Sequence, residues 1–194
     1  MVKSKYIKKR VFNDVDFNSA IDEYFSTAKY KHEVRFYNGM NLETESVRNI
    51  FEKYLSVGLN PVTASGKKST IIPNKNFLSL KPIIDRVGLK NSQNIVMGQE
   101  PGKIQLIHTD KYGSFSSKNS PDELIRLIVF LTDYVPGQFM LWGEDFLSDW
   151  KAGDILYDWG DTPHATANAS TETRVILRMT GISSPTYKNF ISSL

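Results

Sequence analysis

Residues 124–131 read LIRLIVFL, an apolar run in which Arg126 is the one charged residue. A short run of this kind, rich in β-branched residues, indicates a central strand buried on both faces. Periodicity alone leaves a buried helix as the alternative. Six further strand-like segments, separated by Gly, Pro, Asn and Asp, cover residues 94–97, 104–108, 138–142, 154–158, 164–167 and 174–179. Short strands at this spacing predict a β-sandwich or barrel.

The chain divides near residue 90 into a helix-leaning front part and a strand-leaning back part. The elements predicted in front are a helix at 17–28 with Asn18 as its N-cap, a strand at 34–37, a helix from about Thr44, a polar loop at 63–76 and a short helix at 82–87. The length of 194 residues fits one domain. We therefore expect a single domain, 1–194, in which a helix-rich part, 1–90, packs on a β-rich core, 91–194.

The composition excludes several classes of protein. A net charge of +3 is too mild to indicate a nucleic-acid partner, and the basic segment 3–10 is predicted to be a solvated terminus. The chain has no cysteine, which excludes disulfides and thiolate metal ligands. Neither a signal peptide nor an apolar run long enough to span a bilayer is recognisable. We expect a cytoplasmic protein without membrane or nucleic-acid partners.

Two separate motifs carry candidate metal ligands. His108 and Asp110 lie two residues apart at the end of a predicted strand, so their side chains point to the same face and can reach one ion. A third ligand must come from a distant strand, where His164 is the candidate, since His32 sits in a charged, surface-like stretch. Two histidines and one carboxylate hold a non-haem Fe(II) on one face and leave the other face open. The alternative is an ordinary hydrogen-bonded His–Asp pair at a strand end.

His164 has a local context that suits a ligand. Pro163 fixes the backbone just before it, at the end of a strand and turn. Its second ring nitrogen should donate a hydrogen bond to a carbonyl or carboxylate, and Asp158 or Asp161 is a candidate partner. Either aspartate can also serve simply as a turn residue.

An arginine follows His164 ten positions later. Arg174 and Arg178 alternate with apolar residues on one predicted strand, where burial of a charge without a partner is costly. A guanidinium binds a carboxylate in bidentate fashion, so Arg174 suits a dicarboxylate that also reaches the metal, and Arg178 is the second candidate. The alternative is an edge strand whose arginines face water.

Together these residues resemble the core of the Fe(II)/2-oxoglutarate-dependent oxygenases. The pattern of that family is His-x-Asp, a distant histidine and a basic residue about ten positions later. The segments QEPGK (99–103), RLIVFLT (126–132) and KAGD (151–154) are similar to its prolyl hydroxylase-like and aspartyl/asparaginyl hydroxylase-like branches. The resemblance covers roughly residues 94–182.

The resemblance implies a fold and a cofactor set. The fold is a mainly β, double-stranded β-helix core, a jelly roll of the cupin type, with N-terminal helices packed against one sheet. Fe(II) would bind His108, Asp110 and His164, and 2-oxoglutarate would be the co-substrate held by Arg174. The family often adds an upstream amide or aromatic side chain to hold this co-substrate. Gln99 and Gln105 are candidates here, although strand alternation predicts that Gln105 faces away from His108.

The implied activity is a dioxygen-dependent hydroxylation of an unidentified substrate. A prolyl or other residue of a peptide or protein is one possibility, and a free amino acid or other small molecule is another. Two alternative classes are a non-catalytic cupin-like metal- or ligand-binding module and a zinc hydrolase with the same ligands. Residues 63–76 and 111–121 are candidate lids, and Trp142 and Trp159 either line the pocket or pack in the core.

Overall fold

The computed structural model describes residues 5–7, 10–26, 32–34, 52, 56, 69–73, 78–109, 124–158 and 162–194. The strands in these ranges are β1 (Lys5–Ile7), β2 (His32–Val34), β3 (Ser69–Pro73), β4 (Lys90–Gln99), β5 (Lys103–His108), β6 (Leu124–Phe130), β7 (Gln138–Trp142), β8 (Asp145–Leu147), β9 (Ile155–Asp158), β10 (His164–Asn168) and β11 (Arg174–Ile182). The longer helical segments are α1 (Phe17–Ser26), α2 (Lys81–Val87) and α3 (Pro185–Ser192).

The strands form two antiparallel sheets. One has the order β1-β9-β6-β11-β4-β3-β2, and the other has the order β5-β10-β7-β8. From β4 onward the chain alternates between the sheets except at the β7–β8 hairpin, with β4, β6, β9 and β11 in the first sheet and β5, β7, β8 and β10 in the second. This eight-strand wrapping is a jelly roll, the double-stranded β-helix of cupin-like proteins. The fold class predicted from the sequence is therefore confirmed.

Strand β6 is buried along its whole length, as its apolar sequence predicts. Its neighbours are β9 and β11. Leu127 and Val129 point to a core shared with the helices, whereas Ile128 and Phe130 point to a second core between the two sheets. Complete burial of each such side chain stabilises the fold by about 1.5–3 kcal/mol relative to exposure. The two-sided burial explains the absence of polar alternation in this strand.

Helix α1 starts one residue after Asp16. The Asp16 carboxylate accepts hydrogen bonds from the backbone N–H groups of Asn18 and Ser19, at 3.1 and 3.2 Å. Asp16 is therefore the N-cap, and the prediction of Asn18 is wrong by two residues. Both side chains suit a cap, so composition alone does not choose between them.

Some front-part predictions need correction. The segment 63–76 was predicted to be a loop, but its residues 69–73 form β3, which pairs with β4. The strand predicted at 34–37 is found as β2 at His32–Val34, and residues 35–37 lie outside the described ranges. The helix predicted from Thr44 also lies mostly outside them. The helix at 82–87 is confirmed as α2, which Gly88 ends in a left-handed conformation (φ 64°).

The last helix, α3, was not predicted, although the sequence contains its signals. Ser184 is the N-cap and accepts a hydrogen bond from the backbone N–H of Tyr187 at 3.0 Å, and Pro185 follows at the first helical position. Tyr187 and Phe190 are buried in the core shared with the other helices.

Candidate active site

A cavity of about 30 Å³ lies between the two sheets, which is room for about two water molecules. Its walls come from the inward faces of β4, β5, β6, β7, β10 and β11. The side chains with polar atoms that line it are Gln99, Gln105, Trp142, His164, Thr166, Arg174 and Arg178. The apolar ones are Met97, Ile128, Met140 and Ile176. Five of the seven residues in the predicted site thus line one cavity together with Trp142.

The two predicted histidine ligands lie side by side. His108 on β5 and His164 on β10 are directly opposite in the register, and their ring centroids are 4.2 Å apart. Both side chains are buried. Trp142, opposite His164 on β7, stacks on its ring at 4.0 Å with an interplanar angle of 16°. The sheet therefore holds both imidazoles in fixed positions at one level.

Hydrogen bonds define the ring nitrogens that are available to a metal. His164 Nδ1 lies 2.9 Å from the carbonyl oxygen of Thr162, which can only accept, so Nδ1 carries a proton and Nε2 is the nitrogen that offers a lone pair in the neutral ring. The partner described for this nitrogen is thus a backbone carbonyl, whereas the side chains of Asp158 and Asp161 considered above lie outside the description. Such a bond to the second ring nitrogen fixes the tautomer of a metal-binding histidine.

Gln105 corrects the simple strand-alternation prediction. Strand β5 carries one extra residue between the pairs His108–His164 and Gln105–Thr166. A β-bulge of this kind shifts the alternation by one position. Gln105 consequently shares the inward face with His108, and its amide Nε2 donates to His108 Nε2 at 2.7 Å. The expectation that Gln105 faces away from His108 is wrong. His108 itself does not line the cavity, whereas Gln105 does.

The third predicted ligand, Asp110, lies outside the described residues. Within the described part of the chain, no group of three or more potential ligands of the types His, Cys, Asp and Glu is found. The described part of the predicted set is the histidine pair, and Thr109 is the last residue described before Asp110. Two buried imidazoles, whose neutral form carries a lone pair on Nε2, fit the nitrogen ligands of a 2-His-1-carboxylate iron site.

Arg174 is buried, with 3% of its surface exposed, at the start of β11. Its Nη1 donates to the carbonyl oxygen of Phe139 at 3.3 Å, and its Nε has no hydrogen-bond partner in the described part of the chain. Among the described residues, no carboxylate lies within ion-pair distance of it. Burial lowers the pKa of Arg174 from its ordinary value to about 9, because the charged form loses its hydration. Arg174, the residue predicted to bind a carboxylate, is thus a buried cation to which a bound anion would supply the missing partner.

The remaining predicted site residues also face the cavity. Gln99 lies opposite Arg174 in the register of β4 and β11, and its Nε2 donates to the hydroxyl of Thr166 at 2.9 Å. Arg178 lies two inward positions beyond Arg174 on β11, between Ile95 and Ile128 on the neighbouring strands. Both arginines therefore point between the sheets and not into water from an edge strand.

Asn168, which the sequence reasoning missed, positions the start of β11. Its Nδ2 donates to the carbonyl oxygens of Gln99 and Glu172, and its Oδ1 accepts from the backbone N–H of Ser170 at 3.0 Å. One side chain thus ties β10 to β4 and to the turn before Arg174. An asparagine beside a turn is common, and no sequence signal separated this role from ordinary turn formation.

Other residues considered from the sequence fall outside the cavity or outside the description. His32 lies on β2, at the far edge of the larger sheet, and its side chain is not described. The candidate lid 111–121 and Trp159 are outside the described residues. None of the described helices is long and apolar enough to cross a membrane.

Comparisons with known proteins agree with this fold. No protein-family model matches the chain, and no curated protein sequence matches it. Similar solved structures include the cupin-2 domain of an XRE family transcriptional regulator from Enterobacter cloacae (12% identity, TM-score 0.38, covering 60% of this chain and 98% of that one). A predicted oxalate decarboxylase from Thermotoga maritima is also similar (12%, 0.38, covering 60% and 82%). So is a cupin 2 conserved barrel domain protein from Salinispora arenicola (9%, 0.36, covering 65% and 85%).

These similarities concern the fold and not the activity. At such identities and TM-scores, the assignment of a cupin-like jelly roll depends on the strand order and alternation described above. Proteins with this fold include both enzymes and non-enzymes. The fold alone therefore does not determine the function of this chain, which depends on the residues of its own cavity.

Proposed function

We propose that this protein is an Fe(II)- and 2-oxoglutarate-dependent oxygenase that hydroxylates an organic substrate. One observation carries the proposal: Arg174 is a buried guanidinium without a carboxylate partner among the described residues, and it shares a cavity with His164. A protein rarely retains such a charge in its interior without a ligand for it. A metal-chelating dicarboxylate satisfies both ends of this cavity.

The proposed roles follow from the contacts at each side chain. His108 and His164 would bind the metal through Nε2, and Asp110 would supply the carboxylate. Gln105 must release His108 Nε2 when the metal binds, because that nitrogen cannot accept a hydrogen bond and ligate at the same time. The freed amide of Gln105 then faces the cavity, where it can donate to the co-substrate.

Arg174 would hold the far carboxylate of 2-oxoglutarate, and the walls would exclude water. Ile128, Met140 and Ile176 give the cavity an apolar lining, which strengthens the attraction between a guanidinium and a carboxylate. When bound, Fe(II) and 2-oxoglutarate supply the oxidising power that hydroxylation of a C–H bond requires, with dioxygen as oxidant. The protein's own contribution is to orient the reactants and keep the site dry.

The family resemblance implies two classes of substrate, and the proposal includes both. One is a prolyl or other residue of a peptide or protein, and the other is a free amino acid or small molecule. A cytoplasmic location, where the reducing conditions suit Fe(II), is part of this proposal.

Anaerobic reconstitution with Fe(II) and titration with 2-oxoglutarate tests the proposal. We expect the weak visible charge-transfer band of an iron–2-oxoglutarate complex in the wild type. The band should be absent in His108→Ala and should require far more co-substrate in Arg174→Ala. If well-folded, iron-loaded wild type gives no band at any co-substrate concentration, the 2-oxoglutarate assignment fails.

A second candidate function is a cupin-like module that binds a metal and a small anion without turnover. The volume of about 30 Å³ favours it, because a five-carbon dicarboxylate needs more room than this cavity offers as it stands. Methionine side chains such as Met97 and Met140 are flexible enough to widen the cavity. Succinate formation under air separates the two functions, since only the oxygenase converts 2-oxoglutarate.

A further inference from the structure

Several buried polar atoms around Arg174 have no hydrogen-bond partner among the described residues; Arg174 and Gln99 line the cavity, and Trp150 and Gln138 lie beside it. They are Arg174 Nε and Trp150 Nε1, which are donors, and the amide oxygens of Gln99 and Gln138, which are acceptors. A buried polar group without a partner costs about 1–3 kcal/mol, so native proteins keep few of them. Such a cluster beside a cavity indicates a ligand that completes it.

Trp150 is held rigidly at this end. It is fully buried, its ring stacks on Phe130 with centroids 4.7 Å apart, and Tyr134 packs edge-on against it at 5.2 Å. Its backbone carbonyl accepts from the backbone N–H of Tyr134 at 3.0 Å. The Cζ atom of Arg174 lies 5.7 Å from the centroid of the Trp150 ring. The side chains of Arg174 and Trp150 are therefore neighbours, and each has a donor nitrogen without an acceptor among the described residues.

The nearby glutamine amides do not satisfy these donors. Hydrogen bonds fix the Gln138 amide nitrogen to the Ser170 hydroxyl at 3.2 Å and to the Glu172 carbonyl at 3.0 Å. The Gln99 amide nitrogen is fixed in the same way by Thr166. Both amide oxygens have no hydrogen-bond partner within the described ranges. The donors of Arg174 and Trp150 thus need an acceptor from outside the described residues.

We propose that the indole N–H of Trp150 is a second donor to the carboxylate that Arg174 binds. An indole can only donate, whereas a carboxylate offers two oxygens and about four lone-pair sites, enough for both groups. This inference deepens the proposed function, because the ligand there is the far carboxylate of 2-oxoglutarate. It also gives a basis for selectivity: a 2-oxo acid without a far carboxylate leaves both buried donors without acceptors.

The indole ¹H–¹⁵N signals report the proposed contact directly. The chain has three tryptophans, so three signals are expected, and the variants Trp142→Phe, Trp150→Phe and Trp159→Phe assign them by elimination even if one variant does not fold. With Zn(II) as a diamagnetic substitute for Fe(II), 2-oxoglutarate should move the Trp150 signal downfield. 2-Oxobutyrate, which chelates equally but has no far carboxylate, should leave it in place.

A binding measurement with variants provides the energetic counterpart. Trp150→Phe keeps an aromatic ring beside Arg174 but loses the donor, so its affinity for 2-oxoglutarate should fall about tenfold, as loss of one hydrogen bond to a charged group implies. Its affinity for 2-oxobutyrate should not change. Tyr134→Phe, on a ring that packs against Trp150, is the matched control and should bind both ligands as the wild type does.

The outcomes separate this inference from the proposed function. A charge-transfer band with 2-oxoglutarate and an unmoved Trp150 signal overturns the indole contact and leaves the oxygenase proposal standing. Without a band, glutarate added to the metal-free protein becomes the probe. A shifted Trp150 signal then supports the carboxylate site although the co-substrate assignment has failed, and no shift with either ligand overturns both.

Discussion

Replacement of Arg174 by methionine should stabilise the ligand-free protein while it removes the response to 2-oxoglutarate. Methionine has a similar length, is flexible and carries no charge. The variant therefore fills the same space without the buried guanidinium, whose Nε has no hydrogen-bond partner in the part of the chain that the structure describes. Opposite effects on stability and on ligand binding are expected of a residue retained for a ligand and not for the fold.

The magnitude follows from the electrostatics of Arg174. A pKa lowered from 12.5 to about 9 corresponds to about 5 kcal/mol of unfavourable burial of the charged form, at 1.36 kcal/mol per unit. The variant also loses the hydrogen bond to the Phe139 carbonyl and the contact with the Trp150 ring, each worth about 1 kcal/mol. We expect a net gain of about 1–3 kcal/mol, which matches known replacements of buried charges by apolar groups.

Urea unfolding and thermal melts without ligand measure this gain. A change of 1 kcal/mol should move the Tm by about 2–4 °C for a chain of this size. The wild type binds fewer protons at Arg174 when folded than when unfolded between about pH 9 and 12.5. Its stability therefore rises over that range, and the advantage of the variant, complete at pH 7, should shrink above about pH 9.

Arg86→Met is the matched control, because Arg86 is partly exposed and pairs with Asp14. That change should alter the free energy of unfolding by less than about 1 kcal/mol, as surface ion pairs generally do. If Arg174→Met instead destabilises the protein by more than about 2 kcal/mol and still shifts its Tm with 2-oxoglutarate, Arg174 is a structural residue and the reasoning is wrong.

Three further changes have defined outcomes. His108→Gln should remove bound Fe(II), measured by elemental analysis, whereas His32→Gln should retain it; equal iron content in both would exclude His108 as a ligand. Affinity for 2-oxoglutarate should be constant below about pH 9 and fall above it, since burial lowers the pKa of Arg174 to about 9 and a carboxylate binds the charged form. Affinity for 2-oxobutyrate should not fall over this range. If both affinities fall, the pH dependence comes from the metal site and not from Arg174. Gly98→Ala should reduce the free energy of unfolding, measured in urea, by about 1–3 kcal/mol, because the added methyl group would collide with the Tyr24 hydroxyl. Adding Tyr24→Phe should restore part of the lost stability. If the losses of the two single variants simply add in the double variant, the contact is contradicted.

The sequence predicted the strands with strong patterns and missed those without. The apolar residues of β6 and the alternation on β11 place Arg174 between the sheets by a two-residue period, which the structure confirms. Strand β3 has a mostly polar neighbourhood, so only its pairing with β4 reveals it. A pattern predicts a strand when burial selects its residues along the whole strand, as it does in β6.

The sequence predicted which residues form the site but not how their side chains are oriented in it. His108, His164 and Arg174 were recognised from residue type and spacing, and the structure brings them to one region between the sheets. Gln105 faces the cavity only because of the bulge in β5, and a bulge has no reliable mark in a single sequence. The donor of Trp150 has no acceptor among the described residues, and the contacts described for its ring are with Arg174, Phe130 and Tyr134, which no spacing in the sequence indicates.

The division of the core into two layers explains how this fold tolerates so many unsatisfied groups near one arginine. The core shared by the larger sheet and the helices is apolar and includes Leu127 and Leu177, which are fully buried. It is separated from the cavity by the backbone of the sheet itself. Because side chains alternate on β11, Leu177 packs in the core shared with the helices, whereas Arg174, three residues earlier, lies on the opposite face and lines the cavity. Substitutions of the polar residues on the cavity face should alter ligand binding with little loss of stability, whereas Leu127→Ala should destabilise the protein by about 2–5 kcal/mol without a direct effect on the site.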